Sequence, residues 1–182
     1  LGMQAADAYS DIAPDAAHAQ HMTSHIFVAM GLWERVVAAN IRASNVQDTE
    51  RMGRGLESNA CGHYSSWLHY GHLMLGEFQE AESLMDACHS QVEAGHGNRF
   101  YFTAMRARHI MDSQNWSQTN RWTADLSATR PNPSGDGVFG GLFFTYSLTD
   151  AFGSLMLGDS APAEALLAGD WGDHHGRLLQ LD

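Results

Sequence analysis

The amino-acid sequence predicts an all-α fold built from antiparallel helix pairs. Apolar side chains recur every three or four residues along most of the chain, which is the spacing of one face of an α-helix. No segment of useful length shows the strict alternation that is typical of a β-strand, so we expect under about 5% strand. Only four prolines occur in 182 residues, which leaves room for long helices.

The helical segments follow one another with short breaks. Pro14 ends the first segment, because the residue before a proline is pushed away from helical angles. Gly31 and Gly76 each mark a tight turn between two helices. The predicted helices span residues 1–12, 16–30, 33 to a point within 48–55, 59–75, 78–94, 99–113, 116–126, 139–157 and 162–167. The segment 127–138 is the one long loop, and the tail from 169 is expected to fray.

Composition limits the classes of partner. Ten basic and 21 acidic residues give a net charge of −11, which argues against binding to a nucleic-acid backbone and favours basic, neutral or metal partners. No apolar run approaches the roughly 18 residues that cross a bilayer, so no membrane partner is expected. The chain starts at Leu1 without a secretory signal, and we expect upstream sequence. A cytoplasmic location is favoured, and a periplasmic one is the alternative if a leader is missing.

The two cysteines, Cys61 and Cys88, are too few for a disulfide framework. Cys61 lies near the start of one predicted helix and Cys88 near the end of its antiparallel partner. The hairpin therefore brings the two side chains close together, and a disulfide between them is the less favoured alternative to two free thiols.

A short motif recurs along the chain: a small residue, any residue, an aromatic, two further residues and a second small residue. Its copies begin at Gly31, Gly76, Gln114 and Gly158, with spacings of 45, 38 and 44 residues. The first position fits a tight turn, and the last allows close contact between helices. The aromatic residues Trp33, Phe78 and Trp116 are predicted to be largely buried between their paired helices, whereas the fourth copy is degenerate.

This motif resembles the tetratricopeptide repeat (TPR) family, most closely in the copy that starts at Gly76. The likeness covers most of the chain, strongly to about residue 125 and weakly after it. The resemblance implies a right-handed α-α superhelix, a TPR-like solenoid with a concave binding groove. The family period is about 34 residues, so these repeats are stretched. The phrase from His18 to Phe27 also resembles a histidine-bearing repeat in a bacterial subgroup, which implies no particular activity.

If the chain follows this repeat pattern, it is a single helical repeat domain, 1–182. Residues 1–13 form the second helix of an incomplete repeat, and the following pairs span 14–55, 56–96, 97–127 and a degenerate 136–168. The unpaired first helix is expected to contact missing upstream sequence or another subunit. A homo-oligomer joined through this exposed end of the array is therefore an alternative.

Four histidines are the sharpest candidate site. Spacings of three and four residues place His18, His21 and His25 on one helix face. The resemblance places that face in the groove, with His63 opposite in the next helix pair. Neutral imidazoles suit Zn²⁺, Cu²⁺ or Ni²⁺, so a metal-binding protein or metal-dependent hydrolase is one hypothesis.

The favoured hypothesis is a module that binds a protein or peptide in the groove, with no catalytic residues and no resident cofactor. The same four histidines would then contact the ligand, together with Tyr70, Tyr101 and Arg108, which the repeat frame places on the concave wall. Arg108 suits a carboxylate of the ligand, although an ion pair with Asp112 is an equal alternative. His69, His72 and His109 are interpreted as structural. His174 and His175 in the tail are a weaker candidate for metal binding.

Overall fold

A computed structural model of the chain describes residues 2–124 and 137–168. All regular secondary structure within these two ranges is helical, which confirms the all-α prediction. The helices are α1 (Gly2–Ile12), α2 (Ala17–Ala29), α3 (Trp33–Gly53), α4 (His63–Leu75), α5 (Phe78–Glu93), α6 (Arg99–Ser113), the 3₁₀-helix η1 (Trp116–Asn120), α7 (Gly137–Met156) and α8 (Ala161–Leu167). The predicted loop 127–138, apart from its last two residues, and the tail from 169 lie outside the described residues.

Two predicted helices differ from the observed ones. The segment 59–75 becomes helical only at His63, and the predicted helix 116–126 is replaced by the five-residue η1. The helix η1 ends at Asn120 because the fully buried Trp122 is held in a turn. Its carbonyl oxygen accepts a 2.6 Å hydrogen bond from Nε of the buried Arg106. This tertiary bond replaces the helical continuation that the local sequence pattern predicts.

The chain divides into two compact units, Leu1–Met105 and Arg106–Asp182. In the first unit, consecutive helices from α1 to α5 pack against one another. A core cluster forms there between α1, α2 and α3, from Ala6, Phe27, Val36 and Ala39. In the second unit, α7 packs against both η1 and α8. No helix among the described residues is both long and apolar enough to span a bilayer.

The first position of the recurring motif lies at the C-terminal end of a helix, at or directly after the C-cap. Gly31 has φ +68° and Gly76 has φ +75°, so both lie in the left-handed region. After Gly31, the amide of Leu32 donates to the carbonyl of Phe27 over 2.9 Å, which closes a Schellman motif. The small residue is required there because a Cβ atom strains this backbone. Gln114 takes the equivalent place in the third copy and adopts φ +55°.

The aromatic position of the motif is less buried than predicted. The side chain of Phe78 is 42% exposed, so the prediction that it is largely buried is wrong. Trp33 and Trp116 are only half-buried. The reason is positional, because each aromatic is the first residue of its helix and lies at the mouth of the hairpin. The Trp33 ring packs on Tyr70 of α4, and the Trp116 ring packs on Phe152 of α7.

The last position of the motif carries the close packing instead. Val36 and Ala81 are fully buried, and Thr119 is nearly so. A Cβ atom added to Gly153 in α7 would lie 2.5 Å from Cγ2 of Thr119, so this glycine accepts the motif's last side chain in the second unit. In the first unit, a Cβ atom added to Gly71 in α4 would lie 2.8 Å from Cγ2 of Val37, the residue after the motif, and 3.5 Å from Cγ1 of Val36.

Cys61 and Cys88 form a disulfide, with Cα atoms 4.5 Å apart. Their predicted proximity is confirmed, and the disulfide, the less favoured alternative, is the one that forms. The hairpin of α4 and α5 places the end of α5 beside the residues that precede α4. Both cysteines are buried there, and Oε1 of Gln91 accepts a hydrogen bond from the amide of Cys61.

Candidate functional site

His21 is the centre of the histidine cluster. It lies in the middle of α2, and its side chain is completely buried. Its Nδ1 is 2.7 Å from Oδ1 of Asn40 in α3. The amide nitrogen of Asn40 donates to the carbonyl oxygen of Val36 over 2.9 Å, so Oδ1 is the atom that faces the imidazole. Because a carbonyl oxygen only accepts, His21 carries its proton on Nδ1 and leaves Nε2 as a lone-pair donor atom.

His63 faces this lone pair from the next helix pair. It is the first residue of α4, and its Nε2 lies 2.9 Å from Nε2 of His21. Since Nε2 of His21 has no proton, Nε2–H of His63 donates to it. The start of α4 is fixed by the disulfide two residues earlier and by Gln91, whose amide nitrogen donates to Ser58 O over 2.6 Å. The chain Val36–Asn40–His21–His63 is thus a fully oriented hydrogen-bond relay.

His18 and His25 flank the buried imidazole on the same helix face. Both side chains are exposed, and their ring centroids lie 6.1 Å and 4.9 Å from that of His21. The prediction that the three side chains share one helix face, opposite His63, is confirmed. The expectation that His21 is accessible to a ligand in a groove is wrong, because its side chain lies buried between the helices, hydrogen-bonded to Asn40.

Electrostatics keep the central pair neutral. Burial, opposed by the hydrogen bond to Asn40 and reinforced by the imidazoles of His63, His25 and His18, lowers the pKa of His21 from its usual 6.5 to about 4. Burial, and then the imidazoles of His25 and His18, also lower the pKa of His63. Both groups therefore present neutral imidazole near pH 7.

Aromatic side chains extend the site on both sides of the imidazoles. Trp67 of α4 contacts the rings of both His25 and His63, with centroids 4.6 Å and 6.4 Å away. Tyr70 lies between Trp67 and Trp33, at centroid distances of 6.4 Å and 5.2 Å. Tyr101 lies 6.0 Å from His63. We call the continuous set of rings the imidazole–aromatic surface; it comprises Trp33, Tyr70, Trp67, His25, His63 and Tyr101.

The remaining candidates lie elsewhere. Arg108 is exposed and belongs to the second unit. His69 and His109 are fully buried, and His109 packs edge-on against Trp122. His72 pairs with Glu77 on the surface, at 2.7 Å. His174 and His175 lie outside the described residues. Within residues 2–124 and 137–168, no group of three His, Cys, Asp or Glu side chains is arranged to hold a metal ion.

The sequence analysis does not single out two residues of the candidate site, Asn40 and Trp67. Asn40 is the one polar member of an otherwise apolar stripe with Val36, Ala39 and Ala43, and it is fully buried. A lone amide within such a stripe is a signal for a buried polar partner, because buried polar groups are hydrogen-bonded. Trp67 lies four residues after His63, hence on the same helix face, so its spacing also identifies it.

The repeats themselves do not require the buried imidazole. Aligning the copies on Gly31, Gly76 and Gln114 places Ser66 and Ala104 at the position that His21 occupies in the first copy. Ser66 is half-buried and Ala104 is exposed, so a fully buried side chain at this position is particular to the first copy. Comparisons of the chain with known protein families, characterised proteins and solved structures find no match.

Proposed function

We propose that the first unit is a peptide- or protein-binding module, part of a TPR-like right-handed solenoid, and that the imidazole–aromatic surface is its binding groove. The observation that carries this proposal is the exposure of that surface. Its members are half-buried, apart from the exposed His25, so they are neither sealed core nor isolated surface residues. Each ring contacts another, from Trp33 and Tyr70 at one end to Tyr101 at the other.

The chemistry of these rings favours an extended peptide with a cationic side chain. Aromatic faces attract Lys and Arg, by up to about 2 kcal/mol when the contact is desolvated. Neutral imidazoles can accept hydrogen bonds from the same groups. The net charge of −11 adds long-range attraction for a basic partner. Large rings with little conformational freedom also suit a binding surface, because little entropy is lost when they are fixed.

The disulfide supports an oxidising compartment for this module. Structural disulfides form and persist outside the reducing cytosol. The Cys61–Cys88 bond closes the hairpin that presents His63, Trp67 and Tyr70, so the module is fully cross-linked only where thiols are oxidised. We therefore place the proposed interaction in a periplasmic or extracellular setting rather than in the cytoplasm.

Selection from a random displayed library of twelve-residue peptides tests the proposal. We expect enrichment of peptides with at least one Arg or Lys next to an apolar residue, and binding that weakens at high salt because charge attraction is screened. The variants Trp67→Leu and Tyr70→Leu should each weaken binding of the enriched peptides by about tenfold or more, as expected for aromatic binding residues.

Phe78→Ala is the matched control, because Phe78 is a similarly exposed ring on α5 outside this surface. It should bind the enriched peptides as the parent does, and circular dichroism should show that all three variants are folded. Failure to enrich any peptide would overturn the proposal. So would peptides that bind Trp67→Leu and the parent equally.

A further inference from the structure

We infer that His21 and His63 are two pre-oriented ligands of a divalent transition-metal site, and that His25 supplies the third ligand. The inference goes beyond peptide binding and stands on different atoms. Peptide binding rests mainly on the aromatic faces of Trp67, Tyr70 and Tyr101, whereas the metal rests on the nitrogen lone pairs of His21, His63 and His25.

The first step is the orientation of His21. Metal-bound histidines almost always donate their other N–H to a carbonyl or carboxylate, which fixes the tautomer and aims the free nitrogen. His21 has this arrangement, because Nδ1–H donates to Asn40 and Asn40 is itself held by the carbonyl of Val36. A buried imidazole that only filled space would not need a bare Nε2 aimed at a second imidazole.

The second step is the separation of the two nitrogens. Two imidazoles bound to one tetrahedral ion at about 2.0–2.1 Å place their nitrogens about 3.3 Å apart. The Nε2 atoms of His21 and His63 are 2.9 Å apart, so the pair needs to open by only about 0.4 Å. The metal would replace the proton that His63 now donates, and that proton moves through solvent to Nδ1 of His63. Both rings stay neutral, and the charge of the site rises by that of the ion alone.

The third ligand comes from the exposed face. His25 lies one turn after His21, with ring centroids 4.9 Å apart, and is exposed, so a change of rotamer is inexpensive. His18 is farther from His21, at 6.1 Å. Three imidazoles leave a fourth position open to water or to a ligand group. An all-imidazole set favours Zn²⁺, Cu²⁺ or Ni²⁺ over Mg²⁺ or Ca²⁺, which prefer oxygen ligands.

Titration of the untagged, disulfide-intact protein with Co²⁺ and Zn²⁺ tests the inference. A background variant, His174→Gln with His175→Gln, removes the tail histidines as competing ligands. We expect one ion per chain, and a visible Co²⁺ spectrum of tetrahedral intensity that Zn²⁺ abolishes. His63→Gln and His25→Gln should each weaken binding by about tenfold or more, whereas His96→Gln, which lies outside the cluster, should leave it unchanged.

Asn40 is a positioning residue in this site, and two substitutions separate that role from general stability. Asn40→Asp keeps an oxygen that accepts from Nδ1–H and should bind Zn²⁺ at least as tightly as the parent. Asn40→Leu removes the acceptor and should weaken Zn²⁺ binding by about tenfold. Tetrahedral Co²⁺ bound equally well by His63→Gln, or equal loss in His96→Gln, would overturn the inference, as would the absence of Co²⁺ and Zn²⁺ binding.

The metal and peptide experiments fail independently. Tyr70→Leu removes a ring of the proposed groove but no nitrogen ligand, so it should weaken the enriched peptides and leave the Co²⁺ spectrum unchanged. Asn40→Leu should have the opposite effect. If the protein binds peptides but no Co²⁺, the proposed function stands and the metal site is overturned. If it binds Co²⁺ but no peptide, the metal site stands and the proposed function is overturned.

Discussion

His21 shows how one hydrogen bond changes the role of a side chain. The three- and four-residue spacing correctly predicts that His18, His21 and His25 share a helix face. It does not predict that His21 alone is completely buried, because its partner Asn40 lies in the next helix and their meeting depends on how α2 and α3 pack. Removing one partner of a buried hydrogen bond leaves the other polar group unsatisfied, which lowers the free energy of unfolding by about 1–3 kcal/mol. Replacement of His21 by Ala is therefore expected to lower stability, contrary to the expectation for a semi-exposed residue.

The depressed pKa of His21 predicts how stability depends on pH. The unfolded chain protonates this imidazole near pH 6.5, whereas the folded chain does so only near pH 4. Stability is therefore fully present above pH 6.5 and is lost as the pH falls towards 4. Between about pH 7 and pH 5 the loss from this group is roughly 2 kcal/mol. The groups that face His21 are Asn40 of α3, His18 and His25 of α2, and His63, Tyr64 and Trp67 of α4.

Urea unfolding at pH 7, 6 and 5 measures this loss. The variant His21→Phe should show a shallower decline of the unfolding free energy than the parent, because its buried ring does not titrate. His96→Gln, which alters an exposed histidine, should decline as the parent does. Equal slopes for His21→Phe and the parent would contradict the assignment. Because the pKa of His21 is lowered to about 4, a ligand that needs this imidazole neutral should stay bound well below pH 6.

At the scale of the helix, the turns were the most predictable feature. Gly31 and Gly76 end their helices where the sequence indicates, because glycine adopts the left-handed C-cap without strain. The aromatic position was less predictable. Local sequence shows that Phe78 begins a helix, but its burial depends on which neighbouring helix covers that end. The 3₁₀-helix η1 was also missed, since the Arg106–Trp122 bond that ends it joins residues 16 positions apart.

Gln114 carries strain that the other copies of the motif avoid. Its φ of +55° costs an L-residue about 1–2 kcal/mol relative to a right-handed helical conformation. Gln114→Gly removes that strain and should raise the unfolding free energy by about 1 kcal/mol, after allowance for the greater entropy of glycine in the unfolded chain. Thermal and urea unfolding at pH 7 would measure the change.

Asn115→Gly is the control for this substitution. Asn115 has φ −89°, which any residue adopts, so glycine there offers no relief and should leave stability unchanged or lower. Equal gains from the two substitutions, or a loss from Gln114→Gly, would show that the backbone at position 114 is not strained.

At the scale of the whole molecule, the disulfide is the feature that amino-acid composition did not predict. Two cysteines in an acidic helical chain indicate no cross-linked framework, and only their positions on an antiparallel hairpin predict proximity. The structure turns that proximity into a bond between residues 27 positions apart. The bond closes the α4–α5 hairpin, which carries His63 of the cluster and both Trp67 and Tyr70 of the imidazole–aromatic surface. Covalent closure and the candidate site thus occupy the same part of the first unit.

Reduction of this bond should destabilise the fold mainly through the unfolded state. Closing a loop of this length removes chain entropy worth about 3–4 kcal/mol at 25 °C, and both cysteines are already buried, so reduced thiols keep most of their packing. Urea unfolding with and without dithiothreitol measures the difference, and a chain with Cys61→Ala and Cys88→Ala should not respond to the reductant. An identical unfolding midpoint for the oxidised and reduced parent would mean that the cross-link adds nothing to stability. A reductant effect that persists in the double variant would trace the change to something other than the disulfide.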